Sequence, residues 1–160
     1  MAFDGIVIAN LAKELNHKLA DGRITKIAQT ESDKLLLTIK KSISSPEQKT
    51  IRTQNRLVIS VNPSLPLLYL TQENQNAPLQ APTFCMVLRK HLNNCKINLI
   101  EQIGLERVLC MHLEHLNEMG DYCRKKLYIE LMGKHSNIIF CDENDQIIDS
   151  IKHISALVSS

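Results

Sequence analysis

The feature that most constrains the fold is an internal repeat. When residues 14–40 are placed on residues 87–113, an offset of 73, core and charged positions coincide. The apolar and glutamine matches are Leu15/Leu88, Leu19/Leu92, Ile24/Ile97, Ile27/Ile100, Gln29/Gln102 and Leu36/Leu109. The charge matches are Arg23/Lys96, Asp33/Glu106 and Lys34/Arg107. Chance similarity between two helix-plus-hairpin units is the alternative, but matches of both kinds together favour a duplicated α-β-β unit.

The first copy begins with a predicted helix. Its apolar stripe at helical spacing consists of Ile8, Leu11, Leu15 and Leu19. Asp4 can cap the start of this helix and Gly22 can end it. Three strand-like runs follow, RITKIAQT, KLLLTIK and RLVISV, and the polar segment KSISSPEQK separates the second from the third. Pro63 ends the third run, and we expect residues 70–81 to form a surface loop.

The second copy begins at Pro82, which suits the first turn of a helix reading TFCMVLRKHLNN. Four strand-like runs follow, KINLIEQI, RVLCMHLEHL, RKKLYIELM and NIIFC, with QIIDSIK as a candidate fifth. NEMGD and DENDQ have the composition of hairpin turns. The pattern predicts an α+β fold, a two-layer antiparallel β-sandwich with two short helices. A single domain would cover residues 1–160, with subrepeats at about 4–62 and 82–153.

Composition narrows the function only a little. The formal charge of +2 is too small to indicate a nucleic-acid partner by bulk electrostatics, so any basic surface must come from clustering. Aromatic residues make up 4% of the chain, which leaves few platforms for stacked bases. No apolar run has the length of a membrane span, and no basic segment precedes an apolar one at the N-terminus. We therefore expect a cytoplasmic protein without a signal peptide or membrane partner.

The residues that often carry catalysis are not arranged for it. Five cysteines occur without a CxxC pair, at positions Cys85, Cys95, Cys110, Cys123 and Cys141. This pattern is typical of reduced, packed thiols. His112 and His115 are an odd number of residues apart, so a strand would point them to opposite faces and not toward one zinc ion. There is no glycine-rich phosphate loop and no nucleophile signature, so we expect no enzyme and no cofactor.

Basic residues cluster in the second copy. Arg89 and Lys90 flank the apolar stripe of the second helix and should project to solvent. Lys126 lies in a strand that leads to the segment Gly133–Asn137, which reads GKHSN. Arg107 follows a turn at Gly104. These cations could bind phosphate groups, and the alternative is that they are ordinary solubilising charges.

The strings MAFDG, LADGRITKIAQT, APTFCMVLRKHL, LERVL and IELMGKHSNIIF, followed by IIDSIKHIS, run through the whole chain. Together they resemble the NFACT-N domain of RqcH-type ribosome-associated quality control proteins, the fibronectin-binding protein A family. The resemblance implies an N-terminal fragment of a longer protein that binds large ribosomal subunits carrying a stalled peptidyl-tRNA. It also implies recruitment of alanyl-tRNA for template-free extension of the stalled chain.

The resemblance further implies a fold similar to the N-terminal domain of formamidopyrimidine-DNA glycosylases. Those enzymes start their chemistry at an N-terminal proline followed by glutamate, whereas this chain has Ala2 and Phe3. The nucleophile is missing, so glycosylase activity is not expected. The family's usual glycines after the second helix are replaced by Asn93, Asn94 and Cys95, and asparagine tolerates a left-handed turn.

The site implied by the resemblance centres on the family's Asp-Arg pair, which engages tRNA and falls on Glu106 and Arg107. We expect Arg107 to face RNA and Glu106, with one methylene more than aspartate, to orient the local backbone. Within GKHSN, Lys134 and His135 would present donors, while Ser136 and Asn137 are equally explained as residues that hold a turn.

Two other functions compete with RNA binding. The older family name suggests an adhesion module for fibronectin. The third reading is a scaffold that holds other domains of the family without touching RNA.

Overall fold

The computed structural model describes residues 5–44, 50–73, 75, 78–104 and 106–153. The described residues form two helices and nine strands. The helices are α1 (Gly5–Leu19) and α2 (Thr83–Leu92). The strands are β1 (Arg23–Glu31), β2 (Lys34–Ser44), β3 (Thr50–Ser60), β4 (Leu67–Thr71), β5 (Lys96–Gln102), β6 (Val108–Leu116), β7 (Tyr122–Glu130), β8 (Asn137–Asp142) and β9 (Ile147–Ser150). A 3₁₀ turn, Gly133–His135, lies between β7 and β8.

The strands form one sheet in the order β4-β3-β2-β1-β5-β6-β7-β8-β9, with antiparallel pairing throughout. The α+β class with two helices is confirmed, and the candidate strand QIIDSIK is β9. The predicted sheets form one continuous sheet, because β1 and β5, the first strands of the two copies, pair with each other.

The duplication shows most clearly at this central pairing. Arg23 of β1 lies directly opposite Lys96 of β5, and these two residues are equivalent in the repeat. An antiparallel pair in which equivalent residues face each other has a local two-fold axis between them. The two copies are therefore related by a rotation about the β1–β5 junction.

Four backbone hydrogen bonds close the junction in two equivalent pairs. They run from Ile24 N to Cys95 O (3.0 Å), Ile97 N to Gly22 O (2.8 Å), Asp21 N to Ile97 O (2.7 Å) and Asn94 N to Ile24 O (2.9 Å). Asp21 and Asn94 both adopt left-handed backbone conformations, with φ of 71° and 63°. The predicted left-handed turn at asparagine is thus confirmed.

Gly22 does not end α1 in the way the sequence predicted, because the left-handed residue is Asp21. Gly22 is required for a different reason. A Cβ atom at this position would lie 2.8 Å from Cγ2 of Ile39 and 3.0 Å from the carbonyl oxygen of Leu19. The absence of a side chain therefore permits the close approach of the helix end to β2. The predicted cap Asp4 lies outside the described residues.

Each helix packs mainly on the first strand of the other copy. α1 packs on β5, and α2 packs on β1. Asn16 of α1 accepts a hydrogen bond through Oδ1 from Ile100 N at 2.9 Å. Arg89 of α2 donates from Nε to the carbonyl oxygen of Ile27 at 2.8 Å. The two bonds join equivalent positions, so the exchange of helices is symmetric.

One hydrophobic core draws on both copies. It combines the apolar stripes of α1 and α2 with alternate residues of the strands. Its largest fully buried side chains include Ile8, Leu19, Leu37, Leu57, Leu88, Ile97 and Phe140. A small second cluster, Ala28, Leu36 and Val58, is buried on the opposite face of the first copy. We call that face, across the whole sheet, the outer face.

The repeat offset changes after the first hairpin turn. Leu35 pairs with Gln29 in the first copy, and Leu109 pairs with Gln102 in the second. Leu109 is therefore the counterpart of Leu35, and its predicted match with Leu36 is wrong. Leu36 lies in the outer-face cluster, whereas Leu35 and Leu109 lie in the main core. One additional residue in the β5–β6 turn causes the shift. The charge matches Asp33/Glu106 and Lys34/Arg107 are lost with it.

Two strands of the first copy extend beyond their predicted limits, and one was missed. β2 continues to Ser44 and β3 begins at Thr50, so part of the predicted polar connection is strand. β4, Leu67–Thr71, overlaps the start of the predicted loop. It pairs in register with β3, and this pairing supplies its main-chain hydrogen bonds. A short segment between a proline and a polar loop does not by its own sequence indicate a strand.

The helix exchange predicts the effect of Asn16→Ala. Ile100 N would lose its acceptor in a buried setting, and an unpaired buried donor costs about 1–3 kcal/mol. We expect a lower free energy of unfolding of this order by urea titration. Asn16→Asp is the matched control, because its carboxylate retains an acceptor oxygen and should lose much less. Equal losses in the two variants would contradict a role for this bond.

Candidate nucleic-acid interface

The residues with the strongest functional expectation meet at one end of the sheet. Arg107 lies in the turn between β5 and β6, and its carbonyl oxygen accepts a hydrogen bond from Leu131 N at 3.0 Å. The 3₁₀ turn Gly133–His135 follows two residues later. We call Glu106, Arg107 and Gly133–His135 the Arg107 corner. The β6–β7 register brings these segments together, although they are more than twenty residues apart in sequence.

The backbone of the β5–β6 turn is held from several sides. Ile103 N donates to Val108 O at 2.9 Å, and Glu106 N donates to Ile103 O at 3.2 Å. The Nε2 atom of Gln102 donates both to Glu106 O at 2.8 Å and to Gly5 O at 2.9 Å. The turn is thereby tied to the start of α1, and it presents side chains on a fixed backbone.

Glu106 and Arg107 precede β6 instead of lying within it, because β6 begins at Val108. The alternation of side chains along a strand therefore does not govern the directions of these two side chains. Both residues are exposed. The structure thus presents two consecutive exposed residues of opposite charge on a turn.

The GKHSN segment forms a 3₁₀ turn where the sequence predicted a hairpin turn. Gly133 has a φ of 59°, a conformation that favours glycine. His135 N donates to Met132 O and Ser136 N donates to Gly133 O, each at 3.1 Å. Lys134 and His135 are exposed on this turn, so their donors face solvent beside the β5–β6 turn.

Ser136 and Asn137 are both buried, and the side chain of Asn137 joins two segments of the chain. Asn137 Oδ1 accepts from Ile138 N at 2.9 Å and from Lys152 N at 3.1 Å. Its Nδ2 donates to Lys152 O at 3.1 Å. Asn137 therefore clamps the start of β8 to the segment after β9, which agrees with the structural reading of this residue. The Oγ of Ser136 is buried without a hydrogen-bond partner among the described residues.

The Arg107 corner is electrostatically mixed. Glu130 lies at the end of β7 and is half-buried. Burial raises the pKa of its carboxyl group, and the nearby carboxylate of Glu106 raises it further. The cations of the corner thus share their surroundings with two carboxylates. Such a corner can offer a donor and an acceptor to the same ligand.

Lys126 lies apart from the corner, on the outer face of β7. Its Nζ forms an ion pair with Asp145 Oδ1 at 3.0 Å, and Tyr128 Oη donates to the same oxygen at 2.6 Å. The hydrogen bonds from Tyr128 and Lys126 lower the pKa of Asp145. Lys126 lies four positions before Glu130, a distance of about 13 Å along a strand. Lys126 is therefore paired with a carboxylate of its own chain.

Arg89 and Lys90 lie on α2, also away from the corner. Both are exposed, as predicted, but Arg89 is anchored by the bond to Ile27 O described above. His91 stacks at a tilt on Phe140, with ring centroids 5.7 Å apart. Burial lowers the pKa of His91, and Lys125 and Lys90 lower it further. The predicted cations thus occupy three separate places, the corner, the outer face of β7 and α2.

Neither histidine on β6 belongs to a metal site. On the outer face, Nε2 of His112 lies 3.3 Å from Oε1 of Glu101. His115 lies on the other side of the strand, where burial and Lys125 lower its pKa. Within the described ranges, no three histidine, cysteine, aspartate or glutamate residues are placed to hold a metal ion.

The cysteines carry free thiols, and four of the five are buried. Burial raises the pKa of Cys95 and of Cys110 to about 12.

Neither helix of the described part of the chain is long and apolar enough to cross a membrane.

Sequence reasoning missed a second group of cations. Lys40, Arg23, Lys96 and Arg124 lie on neighbouring strands of the outer face, at the end of β6 opposite the Arg107 corner. These residues are up to 101 positions apart in sequence. Only the strand register brings them together, although the Arg23/Lys96 match in the repeat was a partial signal.

Residues 4–160 match the model of the family described as NFACT N-terminal and middle domains. The chain is 39% identical over 161 residues to the Rqc2 homolog RqcH of Bacillus subtilis, covering 100% of this chain and 27% of that protein. The chain therefore spans about a quarter of the length of this relative.

Two solved structures share the fold. The N-terminal domain of fibronectin-binding protein PavA from Streptococcus pneumoniae has a TM-score of 0.87 and 36% identity, covering 99% of this chain and 57% of that one. The N-terminal part of the fibronectin/fibrinogen-binding protein from Streptococcus suis has a TM-score of 0.85 and 34% identity, covering 96% and 55%.

The raised pKa of Glu130 predicts a stabilising substitution. The folded protein holds the Glu130 proton more tightly than the unfolded chain does, so this residue's contribution to stability falls as pH rises through its folded pKa. Glu130→Gln removes that loss. We expect its Tm to exceed that of the original chain at pH 7 and the difference to vanish below about pH 4.

Thermal unfolding followed by circular dichroism over a pH series measures this effect. Glu143→Gln, which removes an exposed carboxylate from the β8–β9 turn, serves as the control and should change Tm little at any pH. A Glu130→Gln variant that is less stable at pH 7 would contradict the account.

Proposed function

Because the chain belongs to the family of NFACT N-terminal and middle domains, we propose that it is the tRNA-contacting domain of a ribosome-associated quality control factor. The complete factor binds large ribosomal subunits that carry a stalled peptidyl-tRNA. It recruits alanyl-tRNA in the cytoplasm and supports template-free extension of the stalled chain. The ribosome forms the peptide bonds, and this domain positions tRNA without catalysing a reaction.

The observation that supports this proposal is the geometry of the Arg107 corner. The family position that engages tRNA falls on a turn whose backbone is fixed by Gln102, Ile103 and Leu131. A side chain on a fixed turn loses less conformational freedom when it binds a ligand. Arg107 can offer its guanidinium group to two phosphate oxygens at once. Lys134 adds a second cation on the adjoining turn.

The mixed charge of the corner favours a specific contact over a general attraction to polyanions. A purely cationic patch would bind any nucleic acid through its phosphates. Here Glu106 provides an acceptor beside Arg107, and an acceptor suits a ribose 2′-hydroxyl or the amino group of a base. The two residues therefore bind one nucleotide together. Arg107 binds its phosphate, and Glu106 accepts a hydrogen bond from the ribose 2′-hydroxyl or from a base amino group.

Arg107→Ala tests the proposal. Binding of labelled tRNA to the chain is measured by fluorescence anisotropy at several salt concentrations. Loss of one phosphate contact should reduce the slope of log affinity against log salt by about 0.9 and weaken binding about tenfold at low salt. Arg107→Lys retains the charge but not the two-pronged geometry, so its slope should stay near the original while its affinity falls.

Lys13→Ala is the matched control, since it removes an exposed cation from α1. It should leave tRNA binding unchanged. If Arg107→Ala has the same slope and affinity as the original chain, Arg107 does not contact tRNA. If the chain gives no crosslink to tRNA at all, the domain acts as a scaffold.

Glu106→Asp tests the carboxylate separately. This substitution restores the residue expected of the family and shortens the side chain by one methylene. We expect tighter tRNA binding with an unchanged salt slope, because the acceptor geometry improves while the number of phosphate contacts stays the same. Glu106→Gln, which lacks the charge, should not give this gain.

A second candidate function is supported by the two solved structures, which belong to a fibronectin-binding protein and a fibronectin/fibrinogen-binding protein. Under this alternative the domain is a cell-surface adhesion module. Surface plasmon resonance on immobilised fibronectin would show saturable binding. Cell fractionation distinguishes the two functions, because a quality control factor should sediment with large ribosomal subunits and resist protease added to intact cells.

A further inference from the structure

A row of charged side chains crosses the outer face at the local two-fold axis. In antiparallel pairing, residues directly opposite each other project to the same face. Following these pairs from β2 to β7, the row consists of Lys40, Arg23, Lys96, Glu114 and Arg124. Their neighbours Ile39, Ile24 and Ile97 point into the core. The row therefore points away from the core and carries four cations across five adjacent strands.

The duplication explains why cations meet at the centre of the row. Arg23 and Lys96 are equivalent residues, so the two-fold axis places them next to each other. Strands lie about 4.8 Å apart, which gives the row a length of about 19 Å. The row thus has the linear form of an extended polyanion backbone.

Two carboxylates only partly neutralise the row. Glu114 lies between Lys96 and Arg124, with its Oε1 3.8 Å from Arg124 Nε. Asp21 Oδ1 lies 3.6 Å from Lys96 Nζ. Both contacts are long, and each involves at least one exposed partner, so solvent screens them. Four cations face two carboxylates, and the net charge of the row is positive.

A cleft of about 310 Å³ opens beside the row. Its lining includes Arg23, Asn94, Lys96, Glu114, Leu116 and Tyr122. One guanidinium nitrogen of Arg23, Nη1, donates to Asn94 O at 3.0 Å, which fixes the position of this cation at the cleft. The cleft lies at the low end of the size range of small-ligand sites.

An exposed aromatic ring stands at the same cleft. Tyr122 is 74% exposed and lies directly opposite Leu116, which is 58% exposed, at the β6–β7 hairpin. Cations that follow a backbone, together with an aromatic ring that accepts a base, are the combination by which proteins bind single-stranded nucleic acids. A duplex would keep its bases stacked inside and could not use the ring.

We propose that the row binds a single-stranded segment of RNA, with phosphates on Lys40, Arg23 and Lys96 and one base stacked on Tyr122. The proposal rests on the proposed function for the identity of the polyanion. It assigns that polyanion to a surface at the opposite end of β6 from the Arg107 corner. The chain then holds RNA at two places, a specific contact at the corner and a strand-tracking contact at the two-fold axis.

The test uses a fluorescein-labelled oligonucleotide of ten adenosines, titrated with the chain at several salt concentrations. In Arg23→Gln combined with Lys96→Gln, two phosphate contacts are lost, so the salt slope should fall by about 1.4 and the affinity at low salt by at least tenfold. Tyr122→Ala should weaken binding about fivefold or more without changing the slope, since stacking carries no counterions. Tyr122→Phe should bind as the original chain does.

Lys13→Gln combined with Lys18→Gln makes the same change in net charge on α1 and should leave binding unchanged. Circular dichroism verifies that each variant is folded. If the Arg23 and Lys96 double variant unfolds, Lys40→Gln and Tyr122→Ala measure the charge and stacking contributions at exposed positions.

The outcomes separate this proposal from the proposed function. If the double variant binds the oligonucleotide with an unchanged slope and affinity, the row is not an RNA site, whatever Arg107→Ala does to tRNA. If the Lys13 and Lys18 control weakens binding equally, only net charge matters and the row is again excluded. If duplex RNA of the same length binds as tightly and Tyr122→Ala has no effect, single-strand binding is excluded. If Arg107→Ala leaves tRNA binding unchanged while the double variant loses oligonucleotide binding, the Arg107 corner is not a tRNA contact and the row remains an RNA site.

Discussion

The fold depends on the short junction at which β1 and β5 pair. Four main-chain hydrogen bonds between residues 21–24 and 94–97 join the two copies, and these bonds come in equivalent pairs. Because the joined strands are the first of each copy, the helix that precedes each strand is carried across to the other copy. The single core, the exchanged helices and the order of the nine strands all follow from this contact.

The same symmetry organises the charged surface. A net charge of +2 does not indicate a cationic surface, because cations and carboxylates are nearly balanced over the chain. The junction concentrates Arg23 and Lys96 on one face, while the β5–β6 turn places Arg107 at the other end of β6. The two surfaces differ in kind. One is a linear array of cations, and the other is a turn that offers a donor and an acceptor together.

The sequence revealed the duplication because helix and β1/β5 positions retain the same spacing in both copies. It could not reveal the extra residue in the β5–β6 turn, since a shift of one residue in a strand changes the face of each side chain without disturbing its apolar character. The error at Leu36 has this origin. β4 was overlooked because its pairing with β3, and not its own pattern, makes it a strand.

The candidate site was predictable only in part, for a similar reason. Family resemblance identified Arg107, and the turn-forming residues of GKHSN identified an exposed segment. Their proximity depends on the β6–β7 register, and the fate of Lys126 depends on where the β8–β9 turn places Asp145. Long-range strand pairing decides both this proximity and the ion pair of Lys126, and neither composition nor local periodicity indicates such pairing.

The exchange of helices sets the order in which the chain can fold during its synthesis. α1 ends at Leu19, but the strand that covers its apolar side ends at Gln102. At a translation rate of about 5–20 residues per second, roughly 4–17 s pass before that strand has been made. During this interval β5, on which α1 packs in the native fold, is not yet available. The apolar stripe of α1 is therefore exposed to chaperones and to the ribosome surface. A pause in translation between the two copies therefore prolongs the exposure of this apolar stripe.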